Sequence, residues 1–144
     1  SQLNCKLLKG IGISEIPGLK ELHQYLGFTK IPQGNKELEK LLTKDKVNVI
    51  LHPKSNASAR EWSLQHYAEL IEIIPKIRFR FFISGSEKEK AMLETWIKTL
   101  PASDVIDITG KLSLSEFISF ISKADVLVAA STGPLHIASA CGIK

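Results

Sequence analysis

Val126-Leu127-Val128-Ala129-Ala130-Ser131-Thr132-Gly133-Pro134-Leu135-His136-Ile137-Ala138-Ser139-Ala140-Cys141 reads as a buried strand, a turn of small residues and a helix. Pro134 is expected at the first helical position, where its fixed φ suits the helix and its missing N–H costs nothing. Ser131 or Thr132 is placed to cap the free amides. At the carboxyl end of a parallel strand, such a helix start turns orphan amides and the helix dipole toward one point, which favours an anion. The segment therefore places a phosphate-bearing ligand near Gly133. Taken alone, it reads equally well as an ordinary strand–helix turn.

Upstream, the same alternation repeats. Residues 47–51 are a short apolar strand. Ser63 then opens a helix with Leu64, Tyr67, Ala68, Ile71 and Ile74 at helical spacing, stopped by Pro75. Residues 79–84 form the next strand, where contiguous Phe81, Phe82 and Ile83 suit a strand covered on both faces. Ser86 and Glu89 make a capping box for a helix with Met92, Leu93, Trp96, Ile97 and Leu100 as its apolar stripe, ended by Pro101. A strand at 105–108 follows. A second box, Ser113 with Glu116, opens a helix whose apolar face is Leu114, Phe117, Ile118 and Ile121. With the strand at 124–130 and the helix at 134–141, the order is βαβαβαβα. That order predicts an α/β, doubly wound parallel sheet of Rossmann-like type. Ligands bind such sheets at the carboxyl ends of the strands, so the turns at 52–62, 84–87, 109–113 and 130–136 are the ones to watch.

Residues 1–46 read differently, as an interdomain linker or packing helices ahead of a domain at 47–144. A helix is expected at 15–26 and a charged amphipathic one at 35–44, the latter carrying Leu38, Leu41 and Leu42. The chain stops just after a helix, where a doubly wound domain normally continues, so it reads as truncated.

Composition narrows the function classes. The 144 residues are 44% hydrophobic, enough for a core and too much for disorder, and carry a formal net charge of +4. The lysines are interleaved with acids and aromatics are few, which speaks against a nucleic-acid groove. No apolar run is long enough to span a bilayer and no signal-peptide pattern is present. Cys5 and Cys141 are far apart and form no CxxC, as expected of a reduced cytoplasmic chain, with Cys141 packed in a core. No histidine has a metal-ligand partner at the usual spacing, so no metal is expected. The phosphate-binding GxxxxGK[ST] and the esterase GxSxG are absent, and Gly10-Ile11-Gly12 lacks a third glycine.

Four joints hold the residues that could carry chemistry. His52-Pro53-Lys54-Ser55-Asn56-Ala57-Ser58-Ala59-Arg60-Glu61-Trp62 is long for a strand–helix joint. Ser55, Asn56 and Ser58 could bond phosphate or sugar oxygens, and Arg60 could neutralise a phosphate with its planar fork. Trp62 reads as a core anchor. Glu87 could accept from a ribose hydroxyl or a base amine, or simply favour its helix start. Lys111 could reach a phosphate, Leu112 could lie against a base, and His136 could donate to a phosphate or sugar hydroxyl.

Together these segments resemble the C-terminal half of glycosyltransferase family nine, the heptosyltransferases of lipopolysaccharide inner-core synthesis. The resemblance runs through His52-Pro53-Lys54 to Arg60-Glu61-Trp62, Ser84-Gly85-Ser86-Glu87, Gly110-Lys111-Leu112-Ser113-Leu114 and Ser131-Thr132-Gly133-Pro134-Leu135-His136-Ile137-Ala138. It implies the donor-binding half of a GT-B fold and an inverting, metal-independent transfer from a nucleotide sugar, typically ADP-heptose. No cofactor is implied. The acceptor, a lipopolysaccharide-core sugar, and the catalytic base belong to the N-terminal domain of the family, so this piece alone is expected to be inactive. The resemblance also implies a cytoplasmic enzyme, with peripheral association of the full-length protein at the inner membrane. By this resemblance Ser55, Asn56, Arg60, Glu87, Lys111, Leu112, Ser131, Thr132, Gly133 and His136 form the nucleotide-sugar site, with Arg60 stabilising the leaving group. Two positions depart from the family pattern. Ser131 stands where the terminal block opens with aspartate, removing a carboxylate that would hold sugar hydroxyls. Lys54 stands where glycine follows His-Pro. Two other readings use the same fold: a nucleotide-binding module without transfer, and a GT-B or epimerase-type domain for a different nucleotide sugar.

Overall fold

Four short strands form one parallel sheet in the order β3-β2-β1-β4 in a computed structural model of the chain. The structure describes residues 6–15, 18, 30–57, 59–101, 103, 105–130 and 133–144; the helix expected at 15–26 therefore lies almost wholly outside the described residues. The strands are β1 (Val47–His52), β2 (Phe79–Ile83), β3 (Val105–Asp107) and β4 (Val126–Ala129). The helices are α1 (Lys36–Glu39), α2 (Leu64–Ile73), α3 (Glu87–Ile97), α4 (Leu114–Lys123) and α5 (Gly133–Cys141). A 3-10 helix, Lys6–Ile11, carries no buried residue.

Side chains alternate across a strand, and the contiguous apolar runs are thereby split between two cores. Val49, Leu51, Phe81 and Ile83 point toward α2 and α3, against Tyr67, Ile71, Leu93 and Leu100. Ile50, Phe82 and Leu127 point the other way, against Phe120, Ile121 and Ala138 of α4 and α5. Phe82 and Phe120 meet edge to face at 5.2 Å. Covering both faces is what makes the strands uniformly apolar rather than alternating.

The chain builds outward from β1 to β2 and β3, then returns through α4 to place β4 on the other side of β1. Leu51 pairs with both Ile83 and Val128, so β1 lies at the reversal of strand order. In doubly wound sheets the crevice opens there. On the outer edge of β4, Lys144 continues the ladder, donating to Asp125 O and accepting from Leu127 N at 2.8 Å.

The expected caps form. Ser86 with Glu89 and Ser113 with Glu116 each make a reciprocal capping box, and Ser63 caps α2. Elsewhere the local pattern is overridden. The helix expected at 35–44 shrinks to Lys36–Glu39, capped by Asn35. Beyond it Asn48, 4% exposed, accepts from Thr43 N and donates to Thr43 O, drawing the chain out of helical geometry. Leu38, Leu41 and Leu42 nevertheless lie against the α4–α5 core. Helix α5 starts at Gly133, one residue before Pro134. Trp62 is not a core anchor. It is 48% exposed, stacked on His66 and edge-on to Tyr67, because Tyr67 already fills that part of the core. Met92 and Leu114 are 62% and 68% exposed. Met92 is rotated away from the buried Leu93 on α3, and Leu114 heads α4 at the rim of a cavity. Cys141 is half-buried against the α4–α5 core, and burial raises its thiol pKa.

Candidate functional site

One carboxylate closes the long loop after β1. Glu61 Oε1 accepts from Ser55 N at 2.7 Å and Glu61 Oε2 accepts from Lys54 Nζ at 2.8 Å. The buried Ser55 hydroxyl lies 3.0 Å from both Glu61 Oε1 and Ala59 O, and accepts from Ala59 N. The Lys54 ammonium, foremost, and the Ser55 donors hold the Glu61 carboxyl below its ordinary pKa, against the opposing effect of burial. Ser55 is thus engaged within the loop. Asn56 and Ala57 cross the tip with φ of 51° and 60°, a left-handed conformation that a β-carbon disfavours.

This clamp sets the loop between two depressions at the carboxyl edge of the sheet. On one side Arg60 and Trp62 line a recess with Tyr67, Val128, Ala129 and Ala130, so Arg60 flanks the end of β4. On the other side Asn56 and Lys54 line an open groove with Lys88 and Met92 of α3. Gly133 and His136 belong to the first turn of α5, and His136 is exposed. A β-carbon on Gly133 would meet nothing within 4 Å. Ser131 and Thr132, like Ser58, lie outside the described residues.

Between the ends of β1, β2 and β3 is a third depression, a cavity of about 330 Å³. Ile108, Leu112, Leu114, Phe117 and Pro134 supply apolar walls, and His52, Ser84, Ser86 and Glu89 the polar ones. Leu112 is one of the residues that line this apolar slot. Lys111 instead folds back, with Nζ donating to Asp107 O at 2.6 Å. Glu87 leans over Gly110, whose φ of 66° and contact with the Glu87 carboxylate leave no room for a β-carbon. Glu87 lies 3.7 Å from Lys90 and outside the cavity wall.

The cavity's polar residues escaped the sequence reading as binding groups. His52 is 8% exposed, and its Nδ1 is 3.0 Å from Ser84 Oγ. Burial, partly opposed by the Glu89 charge, lowers the His52 pKa and keeps the ring neutral near pH 7. Glu89 Oε2 accepts from Ser86 N and Oγ at 2.7 and 2.9 Å. The available signal was positional: His52 and Ser84 each follow the last core residue of adjacent strands, Leu51 and Ile83, which are in register. No group of three or more His, Cys, Asp or Glu gathers among the described residues.

Cavity, recess and α5 start share one edge of the sheet, around the reversal of strand order. An apolar slot, a guanidinium and a helix N-terminus in that arrangement suit a ligand with a flat apolar end and an anionic middle.

Comparison with known proteins bears on the fold and the family. The chain is 30% identical over 97 residues to the lipopolysaccharide core heptosyltransferase OpsX of Haemophilus influenzae, which covers 66% of this chain and 28% of that protein. It is 32% identical over 104 residues to lipopolysaccharide heptosyltransferase 1 of Campylobacter coli, covering 69% and 30% respectively. The chain thus spans under a third of the length of these curated relatives. Among solved structures, a family 9 glycosyltransferase from Veillonella parvula superposes with a TM-score of 0.71 at 15% identity, covering 96% of this chain and 39% of that one. The heptosyltransferase WaaC of E. coli, solved with ADP-2-deoxy-2-fluoro heptose, superposes with a TM-score of 0.62 at 18% identity, covering 94% and 40%. These likenesses establish the fold as part of the GT-B architecture of heptosyltransferases. The model of glycosyltransferase family 9 (heptosyltransferase) matches residues 17–144, and the chain belongs to that family.

Proposed function

We propose that this chain supplies the donor site of an inverting, metal-independent glycosyltransferase of lipopolysaccharide core synthesis, with ADP-heptose as donor. One observation carries the reading: the apolar cavity lined by Leu112 and the recess lined by Arg60 share the carboxyl edge of the sheet with the start of α5. In this reading the base enters the cavity. The diphosphate then lies between Arg60 and the amides that begin at Gly133, with His136, Asn56 and Lys111 at the margins. Ser131 and Thr132, which precede Gly133 in sequence, are part of the same proposal.

The reaction is the one that the family resemblance implies. An acceptor hydroxyl attacks the anomeric carbon from the face opposite the diphosphate. The sugar–phosphate C–O bond breaks, and the nucleoside diphosphate leaves with the electron pair. The hydroxyl proton passes to a base, which the family resemblance assigns to an N-terminal domain. Negative charge grows on the leaving oxygen, where a guanidinium and preoriented N–H groups stabilise it more in the transition state than in the ground state. The acceptor, a lipopolysaccharide-core sugar, and a cytoplasmic location with peripheral attachment to the inner membrane are part of the same proposal. Among the described residues, no helix is long and apolar enough to cross a membrane.

Calorimetric titration tests the donor site. ADP and ADP-heptose bind and UDP-sugars bind more weakly; Arg60→Ala weakens ADP about tenfold, the scale of one charge-assisted contact. Unchanged affinity in that variant removes Arg60 from the site, and amide shifts that bypass 52–62 and 133–136 on ADP addition remove the site itself.

Ser131 supports a second reading, a nucleotide-binding module without transfer, because the family block opens there with a carboxylate. Turnover of ADP-heptose by the full-length protein excludes it; tight binding without turnover, restored by Ser131→Asp, establishes it.

A further inference from the structure

His52 has a second ring nitrogen that the fold does not use. Nδ1 meets Ser84 Oγ at 3.0 Å, and Ser84 Oγ is 3.3 Å from Leu51 O. A hydroxyl has one proton. Both contacts are hydrogen bonds only when Ser84 donates to Leu51 O and His52 Nδ1–H donates to Ser84. Nε2 is then an acceptor. It has no partner among the described residues, yet it is not among their sealed, unpartnered atoms, which are Thr43 Oγ1 and Trp96 Nε1. Nε2 of a residue only 8% exposed therefore reaches open space, and the open space that His52 lines is the apolar cavity. Phe117, 5.9 Å from the imidazole, and the strand backbone hold the ring in place.

The remaining charged group of the wall is also an acceptor. Glu89 Oε2 is occupied by Ser86, and a carboxylate offers no donor. The cavity thus presents acceptors among apolar side chains. It fits a flat group that brings its own N–H, and it penalises one that leaves a buried lone pair unpaired.

The geometry points to His52, oriented by Ser84, as the residue that selects a nucleobase carrying an exocyclic amine. His52 binds and positions the base and takes no part in the chemistry. The inference rests on the base entering this cavity, as in the function proposed above.

The test compares ADP with purine riboside 5′-diphosphate, which differs from ADP in lacking the amine. Wild type prefers ADP about tenfold, the scale of one hydrogen bond to an otherwise unpaired buried acceptor. His52→Leu brings the ratio close to one by weakening ADP alone, His52→Gln recovers part of it through its amide oxygen, and Ser84→Ala reduces it by releasing the tautomer. A 15N-histidine spectrum of the wild type gives an independent readout should a variant fail to fold. The Nε2 resonance moves upfield on adding ADP and stays in place with the amine-free analogue. ADP binding with a ratio unchanged in His52→Leu, or an Nε2 resonance insensitive to ADP, overturns the role of His52 and leaves the donor site standing. Failure of ADP itself to bind wild type overturns both.

Discussion

Glu61 shows how much one side chain determines in this molecule. It gathers Lys54 and Ser55 into a single loop conformation, and so decides where Arg60 emerges. Glu61→Gln should destabilise the protein by about 2 kcal/mol, the scale of hydrogen bonds to a charged group, seen as a lower urea midpoint. Because Lys54 holds the Glu61 pKa down, its contribution is present above the ordinary carboxylate value and is lost as pH falls through the lowered one. His52 acts with the opposite chemistry and the same direction. Its pKa is depressed by burial, so the unfolded chain takes up the proton first, and stability declines as pH falls below 6.5 until the folded pKa is reached. The His52→Gln variant should show a shallower loss over that window in pH-dependent thermal unfolding. Ala57, at φ of 60°, offers the reverse test: Ala57→Gly should stabilise by up to about 1 kcal/mol as the left-handed penalty disappears.

At the scale of elements, the informative signals were local. Both capping boxes lie within four consecutive residues, and both form as the spacing predicts. Ser86→Ala and Ser113→Ala should each cost about 1 kcal/mol and lower the thermal midpoint by a few degrees. The apolar strands were equally legible, since a doubly covered strand needs no alternation. Leu112 was legible as an apolar residue in a loop after a strand. The truncated α1 was not legible. The groups that hold the segment are Asn48, five residues beyond Thr43, and Ser119 and Lys123, which engage Glu39 from α4. Trp62 is exposed for a related reason: a large apolar residue in a loop reads as a core anchor, but Tyr67 fills that space first.

Across the whole molecule, structure and site are separated to opposite edges of the sheet. At the amino edge the buried Asn48 ties β1 to Thr43, Lys46 and Asp125, the residue that precedes β4. Asn48→Ala removes the side-chain bonds to Thr43, Lys46 and Asp125, keeping the backbone bond to the Asp125 side chain, and should cost about 3 kcal/mol, with ADP affinity within twofold of wild type because the cavity and recess are at the carboxyl edge; a stability scan paired with calorimetry checks both halves. The amino-acid sequence by itself determined the βαβ order, the caps and the loops that follow the strands, because each depends on residues a few positions apart. Only the tertiary structure decided the strand order, the diversion of Ser55 and Lys111 to backbone and loop contacts, and the meeting of His52 with Ser84, 32 residues away. Those outcomes depend on which strand lies beside which and on which polar group reaches a buried partner first, and that competition is settled only when the chain closes on itself.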